Sequence, residues 1–175
     1  LPDADAIVHP GIESYPFAGL CGAGVALKIA WAFCKRVSGG EKVEPRFREF
    51  LVSALALAAI GTVADVVPLI DENRVIVRHG LNSLSKTNIE GLREIIKITD
   101  LDKKPYLSAE DIGFTIGPRL NAAGRLGQAQ LGVELLTSSS NTRVEALAEY
   151  IANLNRSRDS IERKINKAAK QQIED

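Results

Sequence analysis

The stretch ALALAAIGTVADVVPL, residues 54–69, decides how the rest of the chain is read. Every residue up to Thr62 is apolar or glycine. A single carboxylate, Asp65, then stands inside Val63-Ala64-Asp65-Val66-Val67, and Pro68 stops any helix. Taking a carboxylate out of water is costly unless something pairs with it. The options are a metal ion, a cationic partner, a helix N-terminus, or exposure at a turn after a buried helix. Spacing alone does not choose among them.

The helix leading into this stretch covers residues 46–60, where Phe47, Phe50, Leu51, Ala54, Leu55, Ala58 and Ala59 recur three and four apart. Pro45 suits its first turn, and Ser38-Gly39-Gly40 ends the element before it. That earlier helix, residues 19–37, is apolar almost all round and is expected to be largely buried. Its opening glycines, Gly19, Gly22 and Gly24, do not match a dinucleotide fingerprint, so close packing of a helix end is expected rather than a phosphate cradle. Residues 4–9 form a β-like run that stops at Pro10-Gly11.

Beyond Pro68, Asp71-Glu72-Asn73 caps a third helix bearing Val75, Ile76, Leu81 and Leu84, and residues 88–98 give a fourth. A charged loop, 100–107, precedes Ser108-x-x-Asp111, a capping-box pattern. The short helix it starts runs through Phe114 and is expected to end at Gly117-Pro118. Next comes a polar knot, Arg119-Leu120-Asn121-Ala122-Ala123-Gly124-Arg125-Leu126-Gly127, read as a loop. Two guanidiniums and an amide among small residues suit an oxyanion, though a loop stapled to its own carbonyls fits the spacing equally.

After a helix at 128–137 and a break at 138–141, the last segment is strongly periodic. Thr142-x-x-Glu145 reads as a capping box. Val144, Leu147, Ile151, Leu154, Ile161, Ile165 and Ala168 form one stripe. A helix of about 34 residues is about 50 Å long and should project from so small a domain. Arg156, Arg163, Lys167 and Lys170 share the opposite face, a solvated stripe or one wall of a nucleic-acid groove.

Composition narrows the class. Lys+Arg and Asp+Glu balance at 22 each and 45% of residues are hydrophobic, so the chain is globular and any polyanion site must be local. Cys21 and Cys34 read as small core residues, which suits a reducing cytoplasm. No run of about 18 uncharged apolar residues points to a membrane span. Neither histidine has metal-ligand spacing: His79 reads as a helix-surface residue, and His9 precedes a turn. No nucleophile elbow, Walker A or H-E-x-x-H pattern occurs. The absence of methionine and the abrupt ends lead to the expectation of a piece of a longer protein.

Several motifs together carry a resemblance. They are Gly61-Thr62-Val63-Ala64-Asp65-Val66-Val67-Pro68-Leu69, Glu72-Asn73-Arg74, Gly80-Leu81, Ile112-Gly113-Phe114, and Arg119-Leu120-Asn121-Ala122-Ala123-Gly124-Arg125-Leu126. With the opening Leu1 to Pro10 and Tyr15 to Ala26 stretches, they resemble the DHH phosphoesterases, in particular the bacterial branch of single-strand-specific 5′ to 3′ DNA exonucleases. The resemblance spans nearly the whole chain.

It implies a two-ion Mn²⁺ or Mg²⁺ phosphodiesterase acting in DNA repair and recombination. Of the family's metal motifs only the Asp of G-T-V-A-D is present, so Asp65 would be the metal and catalytic residue. Arg119, Asn121 and Arg125 would hold the DNA backbone in the same cleft. The partners implied are single-stranded DNA, with a repair helicase or single-strand-binding protein, and no membrane. The fold class implied is mainly α, with one or two short strands, as part of an α/β DHH core. Residues 1–140 would be the C-terminal part of that core and residues 141–175 a connector helix to a further domain. One ligand cannot hold two ions, so the chain by itself should be inert. Two alternatives stay open: another DHH phosphoesterase acting on oligonucleotides, cyclic dinucleotides or pyrophosphate, or a DHH-like scaffold without activity.

Overall fold

A computed structural model describes residues 3–12, 15–125 and 127–174; the side chains at 125, 159 and 174 lie outside that description. Among the described residues every regular element is helical, so the expected one or two strands are not found. An extended run becomes a strand only when a neighbouring backbone completes its ladder, and residues 4–9 meet none among the described residues.

The chain divides into two compact units, Leu1–Asn88 with Pro105–Gly113, and Ile89–Lys104 with Phe114–Asp175. In the first, α1 (Gly22–Val37) and α3 (Asp71–Leu84) both pack on α2 (Pro45–Ala64). Leu27, Ala58 and Ile76 form the shared core, flanked by Leu20, Ala54 and Leu55. α2 is the one described helix long and apolar enough to cross a bilayer by composition, but Ala56, Ala58, Ala59 and Ile60 are buried in its packing with α1 and α3.

α2 continues to Ala64, one turn beyond the end read from its periodicity. Gly61 lets it approach α1: a Cβ there would collide with that of Ala23. Thr62, fully buried, donates its hydroxyl proton to the Ala58 carbonyl at 2.7 Å, which satisfies it without leaving the helix. Of the opening glycines of α1, Gly19 and Gly24 are closely packed, against Phe17 and Leu20, while Gly22 has open space around it. α1 is not largely buried. Only Gly24, Leu27 and Cys34 are, while Trp31 and Phe33 are 51% and 68% exposed. Ile70 is the N-cap of α3 and gives it no side-chain cap, so Asp71, Glu72 and Asn73 occupy its first turn instead.

In the second unit α8 (Asn141–Glu174) packs on α4 (Glu90–Ile98), α6 (Gly117–Arg125) and α7 (Ala129–Thr137). Leu92, Ile95, Ala122, Ala123, Leu135, Leu147 and Ile151 close its core. The 34-residue length agrees with the expectation, but the helix starts at Asn141, so Thr142 lies inside it and the capping box is not used.

Gly117-Pro118 does not end a helix. The capping box at Ser108 and Asp111 forms as expected and opens α5 (Ala109–Asp111). A π-helical turn, Ile112–Ile116, follows and runs straight into α6. Proline has no N–H to donate and its ring crowds the preceding turn; the widened turn ahead of Pro118 relieves both problems.

Candidate functional site

Asp65 is the C-cap residue of α2, with its backbone N–H bonded to the Gly61 carbonyl at 2.9 Å. Its side chain is exposed and makes no hydrogen bond or ion pair among the described residues. Of the four options the spacing leaves open, the structure shows exposure at a turn: Val66 beside the carboxylate is 86% exposed, while Val63 and Val67 are half-buried. Exposure at a turn explains how the acid is tolerated in so apolar a run.

The turn itself is unusual. Val66 has φ of 58°, in the left-handed region that β-branched side chains avoid at a cost of about 1–2 kcal/mol. Its N–H donates to the Val63 carbonyl at 3.1 Å. The far side of the turn is held by Asn73, a fully buried amide on α3. The Asn73 amide nitrogen donates to the Pro68 carbonyl at 2.9 Å and to the Gly19 carbonyl at 2.8 Å. Asn73 was not singled out by sequence for this role. It shares the buried register Asn73, Ile76, Val77, Gly80, Leu84, and a polar residue in an apolar stripe is the signal that marks it.

Beside Asn73, Glu72 accepts the Tyr15 hydroxyl at 2.8 Å and the Lys28 ammonium at 2.9 Å. The ammonium also lies 5.5 Å from the centre of the Trp31 ring. Burial pushes the Lys28 pKa down, but the bonds to Tyr15 and Glu72 outweigh it and hold the group above its ordinary value. Glu72 shows the converse: burial raises it, and bonds from Lys28 and Tyr15 bring it below the usual carboxylate range. Of this trio, Lys28 and Glu72 stand in the wall of an open apolar groove of about 710 Å³ between α1, α2 and α3.

The polar knot at 119–127 is helical over residues 119–125, not a loop. Helical spacing puts Asn121 and position 125 on one face, four residues apart, and turns Arg119 away from them. Arg119 donates to the Thr115 carbonyl at 2.7 Å, one turn back, whereas Asn121 is exposed. The side chain of Arg125, expected to contact nucleic acid, lies outside the described residues. On α8, Arg156, Arg163, Lys167 and Lys170 are all exposed.

His9 accepts the Gly11 N–H on its Nδ1 at 3.0 Å and so completes the turn. His79 is exposed on α3, and both cysteines are free and buried, as expected. Among the described residues no cluster of three or more His, Cys, Asp or Glu could hold a metal ion.

No family model matches the chain. Its sequence is 43% identical, across 99% of its length, to the single-stranded-DNA-specific exonuclease RecJ of Bacillus subtilis, of which it covers 21%. Identity to the Escherichia coli protein of the same name is 36% over 93% of the chain and 29% of the relative. In three dimensions it superposes with a TM-score of 0.77, at 32% identity, on a crystal structure of exonuclease RecJ bound to manganese; 90% of this chain and 38% of that one are covered. RecJ of Thermus thermophilus in complex with Mg²⁺ gives 0.75 at 31% identity, covering 90% and 23%.

By sequence and by fold, the chain matches a segment of RecJ.

It spans between about a fifth and under a third of the length of the curated RecJ relatives it matches. The test of fit to the ions named in those structures has a divided result. Asp65 is a hard oxygen donor, exposed and uncompensated, which suits one ligand position for Mg²⁺ or Mn²⁺. The described residues of this chain do not compose the remainder of such a site.

Proposed function

We propose that the polypeptide to which this chain belongs is a divalent-metal-dependent exonuclease that digests single-stranded DNA from the 5′ end, in repair and recombination. The observation that carries this reading is similarity to RecJ proteins over nine tenths or more of the chain, in sequence and in fold alike, a span that takes in the G-T-V-A-D turn and α6. In this reading residues 1–140 are the C-terminal part of the DHH catalytic core and residues 141–175 a connector helix.

Asp65 contributes one carboxylate to the cation site and is the catalytic residue of this segment. When bound, divalent ions in such a site supply a hydroxide nucleophile at neutral pH and neutralise charge at the scissile phosphate. Asn121 and Arg125, on one face of α6, hold the DNA backbone, and Arg119 fixes the helix that presents them. A repair helicase or single-strand-binding protein would deliver the strand, and the enzyme works in the cytoplasm.

The test is Mn²⁺-dependent digestion of 5′-ended single strands by the full-length protein. Asp65→Ala is expected to lower the rate by more than about 100-fold. Arg125→Ala is expected to raise KM for DNA and to reduce the slope of log affinity against log salt by about one. Wild-type digestion by Asp65→Ala overturns the assignment and favours a scaffold role for this turn.

A further inference from the structure

We infer that Asn73 is the positioning residue of the Asp65 turn: from the buried face of α3 it ties the Pro68 carbonyl to the Gly19 carbonyl, and so fixes the strained segment that aims the carboxylate. This rests on the reading of Asp65 as a cation ligand. No hydrogen bond or ion pair from a described residue holds the Asp65 carboxylate, so its direction is set chiefly through the backbone. Toward α2 that backbone is fixed by the helix ladder. Toward α3 it passes through Val66, whose left-handed conformation persists only where the surroundings over-determine it. Val66 is too exposed to be held by its own side chain.

Asn73 supplies the missing constraint. Both protons of its amide are used on carbonyls of two separate segments, Pro68 in the turn and Gly19 just before α1, and the full burial of the side chain denies water the chance to compete. Residues that orient a metal ligand without touching the metal typically change its affinity by about 10- to 100-fold.

The experiment uses the full-length protein, with Mn²⁺ binding measured by calorimetry, amide exchange followed over residues 66–69, and folding checked by circular dichroism. Asn73→Ala is expected to weaken Mn²⁺ binding about tenfold and to speed exchange in that segment. Adding V66G is expected to restore most of the affinity, because glycine takes up φ > 0 without steric cost and no longer needs the clamp. A residue that merely stabilised the core would show no such rescue.

Wild-type Mn²⁺ affinity in Asn73→Ala, with loss in Asp65→Ala, sinks the positioning role and leaves the ligand assignment standing. Wild-type affinity in Asp65→Ala sinks the underlying assignment. An Asn73→Ala loss that V66G does not recover also overturns the inference. Should Asn73→Ala not fold, the isosteric Asn73→Asp takes its place; if neither folds in either background, Asn73 is a core residue only and the inference fails.

Discussion

Tyr15, Lys28 and Glu72 meet although Glu72 lies 57 and 44 residues from the other two. Glu72 is held below its ordinary 4.5, so its contribution to stability is present above that value and is lost as pH falls through the lowered one. Lys28 is held above 10.5, so its contribution is complete below that value and is lost as pH rises through the raised one. The ion pair therefore supports the first unit across the neutral range. Both side chains are about one third exposed, which limits its worth to about 0.5–1 kcal/mol. Glu72→Gln should cost about that much in urea unfolding at pH 7 and nothing once Glu72 is itself protonated, well below pH 4.5. A pH-independent loss would mean that the carboxylate acts by packing. No local pattern announces such a trio, because charges brought together by tertiary packing leave no spacing in the chain. Asp65 is the opposite case: its oddity could be read directly, since an acid in an apolar run is visible without knowing what surrounds it.

At the level of elements, α2, α3, α4 and α7 follow from apolar residues three and four apart, and the Ser108–Asp111 capping box forms as its sequence indicates. The misreadings have a common cause. Gly117-Pro118 reads as a helix end and the apolar period stops at residue 60, whereas in the fold Pro118 is absorbed behind a π turn and Gly61 continues α2 in close approach to α1. Helix propensity is a weak preference that packing overrides. The same logic yields a stability test. A Cβ at Gly80 would collide with Ala59 and the Leu55 carbonyl, so Gly80→Ala should destabilise by about 1–3 kcal/mol despite better helix propensity. Gly22→Ala, with open space around it, should be neutral or stabilising by up to about 1 kcal/mol. Equal effects in chemical denaturation would mean that the approach of α3 to α2 is looser than described. The outward face of α1 escaped its sequence because an apolar helix reads as buried whether or not a partner is present.

Taken as a whole molecule, the chain carries Asp65 as the proposed cation ligand, no metal-binding cluster is found among the described residues, and its curated relatives are at least three times longer. Assayed alone with Mn²⁺, the 175-residue chain is expected to digest no single strands, while the full-length protein does. Robust digestion by the pure chain would show that Asp65 is not one ligand among several. The length of α8 was legible because thirty-four residues pass without a glycine or proline, and the burial of its first half was legible from its stripe.

The last buried residue of that helix is Asn155; from 156 to 173 no described residue is buried, and Arg158 is half-buried. A rod clamped at one end passes on angle as well as reach. One residue inserted near position 160 would swivel everything downstream by about 100° for a gain of only about 1.5 Å, whereas seven would lengthen the rod by about 10 Å and return it to within about 20° of its starting phase. If α8 is the connector proposed above, the single insertion should impair digestion by the full-length protein more than the insertion of seven, the bearing of the shaft mattering more than its length.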